Sequence, residues 1–552
     1  MSASFSGVLL MATFDTLILN GTIVDGTGKP GYRGDVGIRG KRIEAVGELG
    51  KAEARERIDA KGHVVAPGFI DIHTHSDVTV LDDPGAESMV YQGVTTQVVG
   101  NCSYSAFPCG VATPQALKEI MGTTMSSVVE WDWRTMDEWA NRIDSNGVSI
   151  NVAALVGNAA LRVGVGALMD RPATAEELKG QQRLAIECVE QGAFGMSTGL
   201  TLMPSMYADV AEVAAVCKAI QPYGAIYATH ARVLPGLLVK MIEEAAEVGR
   251  RSGIGVQFSH LAINDFRFFG TGQRMIDVFD RSRAEGIDIT YDMYPYTAAG
   301  IDLHQTAPIW LKEGGLHPLL VRLADKKARK KAIDEMNSGL DGGPVTDWKT
   351  VVITMTATEK NRWTVGKSIE QVSQQTGEAP SEAVLRLLGE EKDEISATWH
   401  NRNEIDMRYF MSQTMGMIGS DGNAVSPDGL YGKSMPHPRF YGTYPRILGR
   451  YVREVPVLTL ETAVRKMSGF PADRMGIKDR GYIEKGKAAD IVVFNPDTVL
   501  DRATFEAPHQ YPVGMPHVFV NGKAVIKGGK HTGARSGRVL RRGGEGRIVN
   551  WG

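Results

Sequence analysis

The 552-residue chain is 43% hydrophobic and 23% charged, with a formal charge of −3, which describes a globular protein too long for one small domain. The near-neutral balance gives no bulk attraction for nucleic acid or an anionic membrane, so the expected partner is a small molecule, and a homo-oligomer is compatible with it. Four cysteines (Cys102, Cys109, Cys188, Cys217) over this length make no disulfide framework and point to a reducing, cytoplasmic setting.

The start, Met1 to Phe14, has a short apolar stretch with no Lys or Arg ahead of it, unlike a signal peptide. Met11 is a second candidate initiator, because the regular pattern begins at Phe14. No run is long enough to span a bilayer. From Phe14 to Val65 short β-like runs follow one another: Thr16-Leu-Ile-Leu, Thr22-Ile-Val, Asp35-Val-Gly-Ile-Arg and Arg42-Ile-Glu-Ala-Val. Asn20-Gly21 between two of them predicts a hairpin, since a type I′ turn needs positive φ at both central residues. The same texture returns in Asp490-Ile-Val-Val-Phe, His517-Val-Phe-Val, Asn521-Gly522 and Ala524-Val-Ile. Residues 1–65 and 476–552 are therefore expected to form one small β-domain, a β-sandwich built from both chain ends. The glycine- and arginine-rich tail from Gly528 either orders against that domain or frays.

Residues 66–475 alternate apolar runs with helical stretches, the pattern of βα units around a parallel sheet. The predicted strands are Val64–His75, Val94–Gly100, Asn151–Val156, Phe194–Ser197, Ala225–His230, Ile254–His260, Asp288–Tyr294 and Met415–Ser420, the number a (β/α)8 barrel requires. An insertion at about 303–407, with the charged helix Asp325-Lys-Lys-Ala-Arg-Lys-Lys and the strand-like Val351-Val-Ile-Thr-Met, is expected over the barrel mouth as a lid.

Gly68-Phe-Ile-Asp-Ile-His-Thr-His-Ser-Asp77 carries the strongest chemical signal. Residues two apart on a strand share a face, so His73 and His75 converge on one point at the end of an apolar run. Other strands end in Asn101-Cys102, His230, Ser259-His260 and Ser420-Asp421-Gly422. Barrel enzymes gather their sites at these C-terminal ends, so His73, His75, Cys102, His230, His260 and Asp421 are the candidate ligands of one or two divalent metals. A thiolate among them favours Zn2+ over magnesium or calcium, which prefer oxygen. Asp421 ends its strand opposite the histidines, where a carboxylate can take a proton from metal-activated water and deliver it to a leaving amine. Asp71 lies one step deeper and reads as a hydrogen-bonding group. Cys188 and Cys217 sit on helix-like stretches and read as buried packing residues, with Cys109 undecided.

These residues resemble the amidohydrolase superfamily and, within it, the D-aminoacylases (N-acyl-D-amino-acid deacylases), nearly end to end. Gly68-Phe-Ile-Asp-Ile-His-Thr-His is similar to the superfamily's first-strand signature, and Gly481-Tyr-Ile-Glu-Lys-Gly-Lys-Ala-Ala-Asp490 to its return from barrel to β-domain. Gly100-Asn-Cys-Ser, Tyr294-Pro-Tyr-Thr-Ala and Pro436-His-Pro-Arg-Phe-Tyr-Gly-Thr-Tyr-Pro445 are more specific to the deacylases. The resemblance implies a tight zinc on Cys102, His230 and His260, and a weaker second site of His73, His75 and Asp421. It further implies Asp421 as general acid/base, Arg439 as the grip on the substrate α-carboxylate, and Tyr294 as a pocket contact. A guanidinium suits the α-carboxylate because its planar fork matches carboxylate geometry. Ala262 stands where acidic-substrate members carry a lysine, so a neutral or hydrophobic side chain is implied. The resulting expectation is hydrolysis of the linear amide of N-acyl-D-amino acids. The rival readings are a cyclic-amide hydrolase of the hydantoinase or dihydroorotase type, disfavoured by Cys102, and a metal-free barrel that only binds a ligand.

Overall fold

The computed structural model describes residues 14–121, 127–233 and 236–542; Met11 lies outside them. Five strands from the N-terminal end (Phe14–Ile23, Tyr32–Arg39, Arg42–Gly47, Ala54–Asp59, Val64–Pro67) and four from the C-terminal end (Ile491–Phe494, His517–Val520, Lys523–Lys527, Lys530–His531) join in one nine-stranded sheet. The expected sandwich is thus a single continuous sheet around its own apolar core, which includes Ile18, Ile38, Val65, Ile491 and Phe519. The two ends meet where Val64–Pro67 pairs antiparallel with Ile491–Phe494.

Asn20-Gly21 is not a hairpin. Phe14–Ile23 runs on as one strand, and the positive φ of Asn20 (60°) marks a bulge between Ile18 and Gly21. Pairing on both sides decides this: the strand has Tyr32–Arg39 along one edge, Ala54–Asp59 and Val64–Pro67 along the other, and the Asn20 N–H donates to Asp35 (2.8 Å). Asn521-Gly522 does turn, with φ of 49° and 76° between the antiparallel strands His517–Val520 and Lys523–Lys527.

Eight parallel strands build the barrel: Phe69–Asp71, Val94–Val99, Asn151–Ala154 continued by Val156–Gly157, Gly195–Gly199, Ile226–His230, Gly255–Phe258, Ile289–Met293 and Gly416–Ile418. The ring closes between strands eight and one through the Thr74–Gly422 bridge, with the Asp421 N–H on His73 O (2.8 Å) and the His75 N–H on Gly422 O (2.9 Å). The predicted first strand, Val64–His75, divides at Gly68. The Gly68 N–H donates to Asp490 O in the β-domain, whereas the Phe69 N–H donates to Gly93 O at the barrel's second strand, so one apolar run serves two sheets.

The insertion is a subdomain in its own right. Ala299–Asp302, Ile395–Trp399 and Val351–Thr356 form an antiparallel sheet, covered by helices that include Leu316–Ala324, Lys326–Ser338 and Pro380–Glu390, over a separate core with Leu303, Ile353, Leu385 and Leu388. Asp325 caps the charged helix by accepting the N–H groups of Lys327 (3.0 Å) and Ala328 (2.7 Å). The insertion ends sooner than the sequence suggests: Met407, on the helix Glu404–Ser412, packs with Phe410 and Met411 into the barrel core. The C-terminal tail first orders against the β-domain, where Lys530–His531 pairs with Lys523–Lys527, and then runs along the barrel, with the Val152 N–H on Arg538 O (2.9 Å) and the Leu540 N–H on Val152 O (2.7 Å). No helix among the described residues is long and apolar enough to cross a membrane.

Candidate metal centre

The polar chemistry collects where the barrel strands end. His73 and His75 follow strand one and both turn towards one point; their Nε2 atoms lie 3.6 and 3.0 Å from Asp421 Oδ1, which follows strand eight. His73 Nε2 is 3.3 Å from Cys102 Sγ, and Cys102 Sγ is 3.5 Å from His260 Nε2. His260 Nε2 in turn faces His230 Nδ1 at 3.0 Å. Two donor sets result, His73–His75–Cys102–Asp421 and Cys102–His230–His260, each with its ligand atoms within 4.8 Å of one another. Cys102 belongs to both.

The backbone is bent to make this possible. Cys102, His260 and Asp421 have φ of 51°, 38° and 53°, a left-handed conformation that costs a non-glycine residue of order 1–3 kcal/mol. The surroundings enforce it: the His260 N–H is held by Asp292 Oδ1 (2.8 Å), and the Ser103 N–H by Ser197 Oγ (3.0 Å). Gly100, two residues before the thiol, has φ of 77°, and a Cβ there would sit 1.9 Å from Leu155 O, so only glycine lets this loop pass.

The imidazoles are oriented from outside. Asp292 Oδ1 takes His73 Nδ1 (3.1 Å), while its Oδ2 accepts from Gln257 (2.9 Å); Thr201 Oγ1 meets His230 Nε2 (2.7 Å). Asp292 and Thr201 were not among the candidates read from the sequence. For Asp292 a signal existed: in the apolar seventh strand, Thr290 and Asp292 share the face opposite Tyr291 and Met293, and a carboxylate there demands a partner. Asp71 Oδ1 accepts the N–H groups of His73 (3.2 Å) and Ser420 (2.9 Å), tying strand one to strand eight, and burial pushes its carboxyl up to about 6.

Charge follows from this crowding. Burial pushes the Cys102 thiol up, but the imidazoles of His73 and His260 outweigh it and hold the group well below the usual thiol range. Burial likewise raises the Asp421 carboxyl, and the Arg439 guanidinium outweighs it with help from His75 and His73. Thiolate, carboxylate and imidazole nitrogens packed this closely repel one another unless protons or a divalent cation lie between them. That donor set fits zinc.

Arg439 Nη1 lies 2.9 Å from Asp421 Oδ2, and the arginine is only 6% exposed. Its guanidinium rests over the Tyr294 ring (4.8 Å), which carries Arg402 at 4.7 Å as well. Gly300 lies against this group; a Cβ there would come within 3.0 Å of Arg439 Nη2. His437 fixes the start of the arginine's helix by donating from Nε2 to Ala298 O (3.0 Å) and accepting the Arg439 N–H at Nδ1 (3.0 Å). All eight candidate residues line or adjoin one cavity of about 1540 Å³, walled in part by the insertion. Cys109, Cys188 and Cys217 are buried away from it, and burial raises the Cys109 thiol to about 11.

Comparison with known proteins agrees with this arrangement. The amidohydrolase family model matches residues 56–262 and 417–526, the stretches that carry all six candidate ligands. This chain is an amidohydrolase. The insertion falls between the two matched stretches of the amidohydrolase pattern. D-aminoacylase of Alcaligenes xylosoxydans xylosoxydans is 33% identical over 529 residues, 96% of this chain and 98% of that protein. The structure of N-acyl-D-glutamate deacylase from Bordetella bronchiseptica, complexed with zinc and a phosphonate mimic of the tetrahedral intermediate, superposes with a TM-score of 0.80 at 30% identity, covering 96% of this chain and 99% of that one. A D-aminoacylase structure concerned with a binuclear metal centre, with one-metal activation and second-metal attenuation, gives 0.80 at 32% identity, over 96% of this chain and 100% of that one.

Proposed function

We propose that this amidohydrolase uses zinc to hydrolyse the linear amide of N-acyl-D-amino acids with neutral or hydrophobic side chains. The observation that carries the reading is the pair of donor sets sharing Cys102, with Arg439 beside Asp421 in the same cavity. The D preference rests on the likeness to D-aminoacylase. Cys102, His230 and His260 would hold the tighter zinc, and His73, His75 and Asp421 a weaker second ion.

A bound zinc supplies Lewis-acid polarisation of the carbonyl and lowers the pKa of a water. Asp421 takes a proton from the attacking water and passes it to the departing nitrogen. The water oxygen joins the acyl carbon, the C–N bond breaks, and a carboxylate and a D-amino acid leave. Arg439 presents its remaining N–H groups to the α-carboxylate, supported by the Tyr294 ring. His437, whose imidazole burial keeps well below its ordinary pKa, stays a neutral strut under the arginine.

The test is metal content of the purified enzyme, followed by amine release from matched N-acetyl-D- and N-acetyl-L-amino acids before and after chelation. Zinc near one equivalent, loss of turnover on chelation and preference for the D series are expected. Faster release from the L series would reject the substrate reading, and full turnover without metal would reject the zinc.

A further inference from the structure

Building on the deacylase reading, we propose that the acyl group this enzyme removes is a long aliphatic chain, bound in an apolar funnel that leads from the metal centre to the surface.

Three observations carry this. First, the cavity is about 1540 Å³, beyond the roughly 300–1,000 Å³ usual for small-molecule sites, and far more than an acetylated amino acid fills. Second, its outer wall carries a band of large apolar side chains where water should favour polar residues. Leu168, Met169, Phe266, Phe269, Ile309 and Leu316 line the cavity while being 36–66% exposed, and they come from three separate parts of the chain. Third, their position matches the direction an acyl chain must take. Arg439 and Tyr294 lie beyond strands eight and seven, whereas Leu202 and Met203, which also line the cavity, follow strand four on the opposite side of the ring. In an N-acyl-amino acid the acyl chain and the α-carboxylate leave the scissile amide in opposite directions. A carboxylate on Arg439 with the carbonyl at the donor sets therefore sends the chain past Leu202 and Met203 towards Leu168, Met169 and the insertion.

Charged side chains border the cavity too, among them Asp265, Asp341, Asp347, Lys392, Asp393 and Glu394. Asp393 is already engaged by Lys312 Nζ at 2.6 Å and His304 Nδ1 at 3.0 Å, and Asp265 pairs with Arg267 at 2.6 Å, so neither carboxylate is left open to a polar acyl group.

The test compares kcat/KM for N-acetyl-, N-hexanoyl-, N-decanoyl- and N-succinyl-D-leucine, below the micellar concentration, on the zinc-loaded enzyme. Each methylene fully buried is worth roughly fourfold, so the decanoyl substrate should exceed the acetyl one by at least tenfold. Phe266→Ser and Met169→Ser, both at exposed positions, should each lower the decanoyl-to-acetyl ratio several-fold. Turnover of N-acetyl-D-leucine with no gain for longer chains, or faster turnover of the succinyl substrate than the decanoyl one, overturns this inference and leaves the deacylase reading standing. An unchanged ratio in both variants, with a shift in oligomeric mass, overturns it too and makes the apolar rim a subunit contact. Release of amine from none of the four substrates overturns both.

Discussion

The barrel holds a buried polar cluster at each end, and the two close their hydrogen bonds differently. Below strand three, Asp490 pairs with Arg480, accepts Asn151 Nδ2 (3.0 Å) and the Asn521 N–H (2.6 Å), and Asn521 Nδ2 donates to Asn151 Oδ1 (2.8 Å). Donor meets acceptor and cation meets anion, and the network fastens the β-domain to the barrel floor. At the mouth, thiolate, carboxylate and imidazole nitrogens face one another instead, on a backbone held at positive φ. A matched network stabilises; a crowd of ligand atoms awaits a cation. The difference follows the division of a barrel into a stability face and a chemistry face.

The sharpest way to break this contrast is Asp421→Asn. Amide for carboxylate removes the proton carrier, so kcat per folded molecule should fall by on the order of 10²–10⁴; near-normal turnover would remove Asp421 from the chemistry. At the other end, Asp490→Ala removes the buried ion pair with Arg480 together with the Asn151 and Asn521 hydrogen bonds and should cost about 3–5 kcal/mol of stability, measured by denaturant unfolding, with turnover per folded molecule retained. If Asp490→Ala instead lowers turnover and leaves stability alone, the two clusters are not different in kind.

Arg439→Ala is the next smaller effect. Losing a charged hydrogen-bond partner of about 1.5–3 kcal/mol should raise KM by roughly ten- to a hundredfold, with a lesser drop in kcat because the arginine also pairs with Asp421. An unchanged KM would assign the carboxylate to another residue.

The smallest expected effect lies in the insertion. Burial raises the Asp393 carboxyl, but His304 and Lys312 outweigh it and hold the group at about 2, below its ordinary value of 3.8. A depressed folded pKa stabilises above the unfolded value, so this contribution of about 2 kcal/mol is complete above about pH 4 and lost as pH falls towards 2. The difference in thermal midpoint between the parent protein and Asp393→Asn should shrink across that window; a constant difference would mean the ion pairs contribute nothing to the subdomain.

The barrel strands were legible because each is a short apolar run between turn residues, and their ends could be read for ligands one at a time. Asn20-Gly21 and Asn521-Gly522 mark the limit of such reading. Both dipeptides permit positive φ, and only the strands already paired on either side made one a bulge and the other a turn. Val64–His75 looked like a single strand because both halves are apolar, and apolarity does not say which sheet receives them. Asp292 escaped because its task is to hold His73 and His260, and its partners lie far away in the chain.

By itself, the sequence determined the donor types and their spacing: a His-x-His pair on one strand face, a thiol after Gly100, and an Asp after an apolar strand. Local covalent order suffices for that, since strand geometry fixes which neighbours share a side. Only the tertiary structure decided that Cys102 serves both donor sets, that Arg439 reaches Asp421, and that the insertion joins the barrel loops in walling one large cavity. Each of those depends on residues tens to hundreds of positions apart meeting in space. Ring closure and core packing decide such encounters, and no local pattern encodes them.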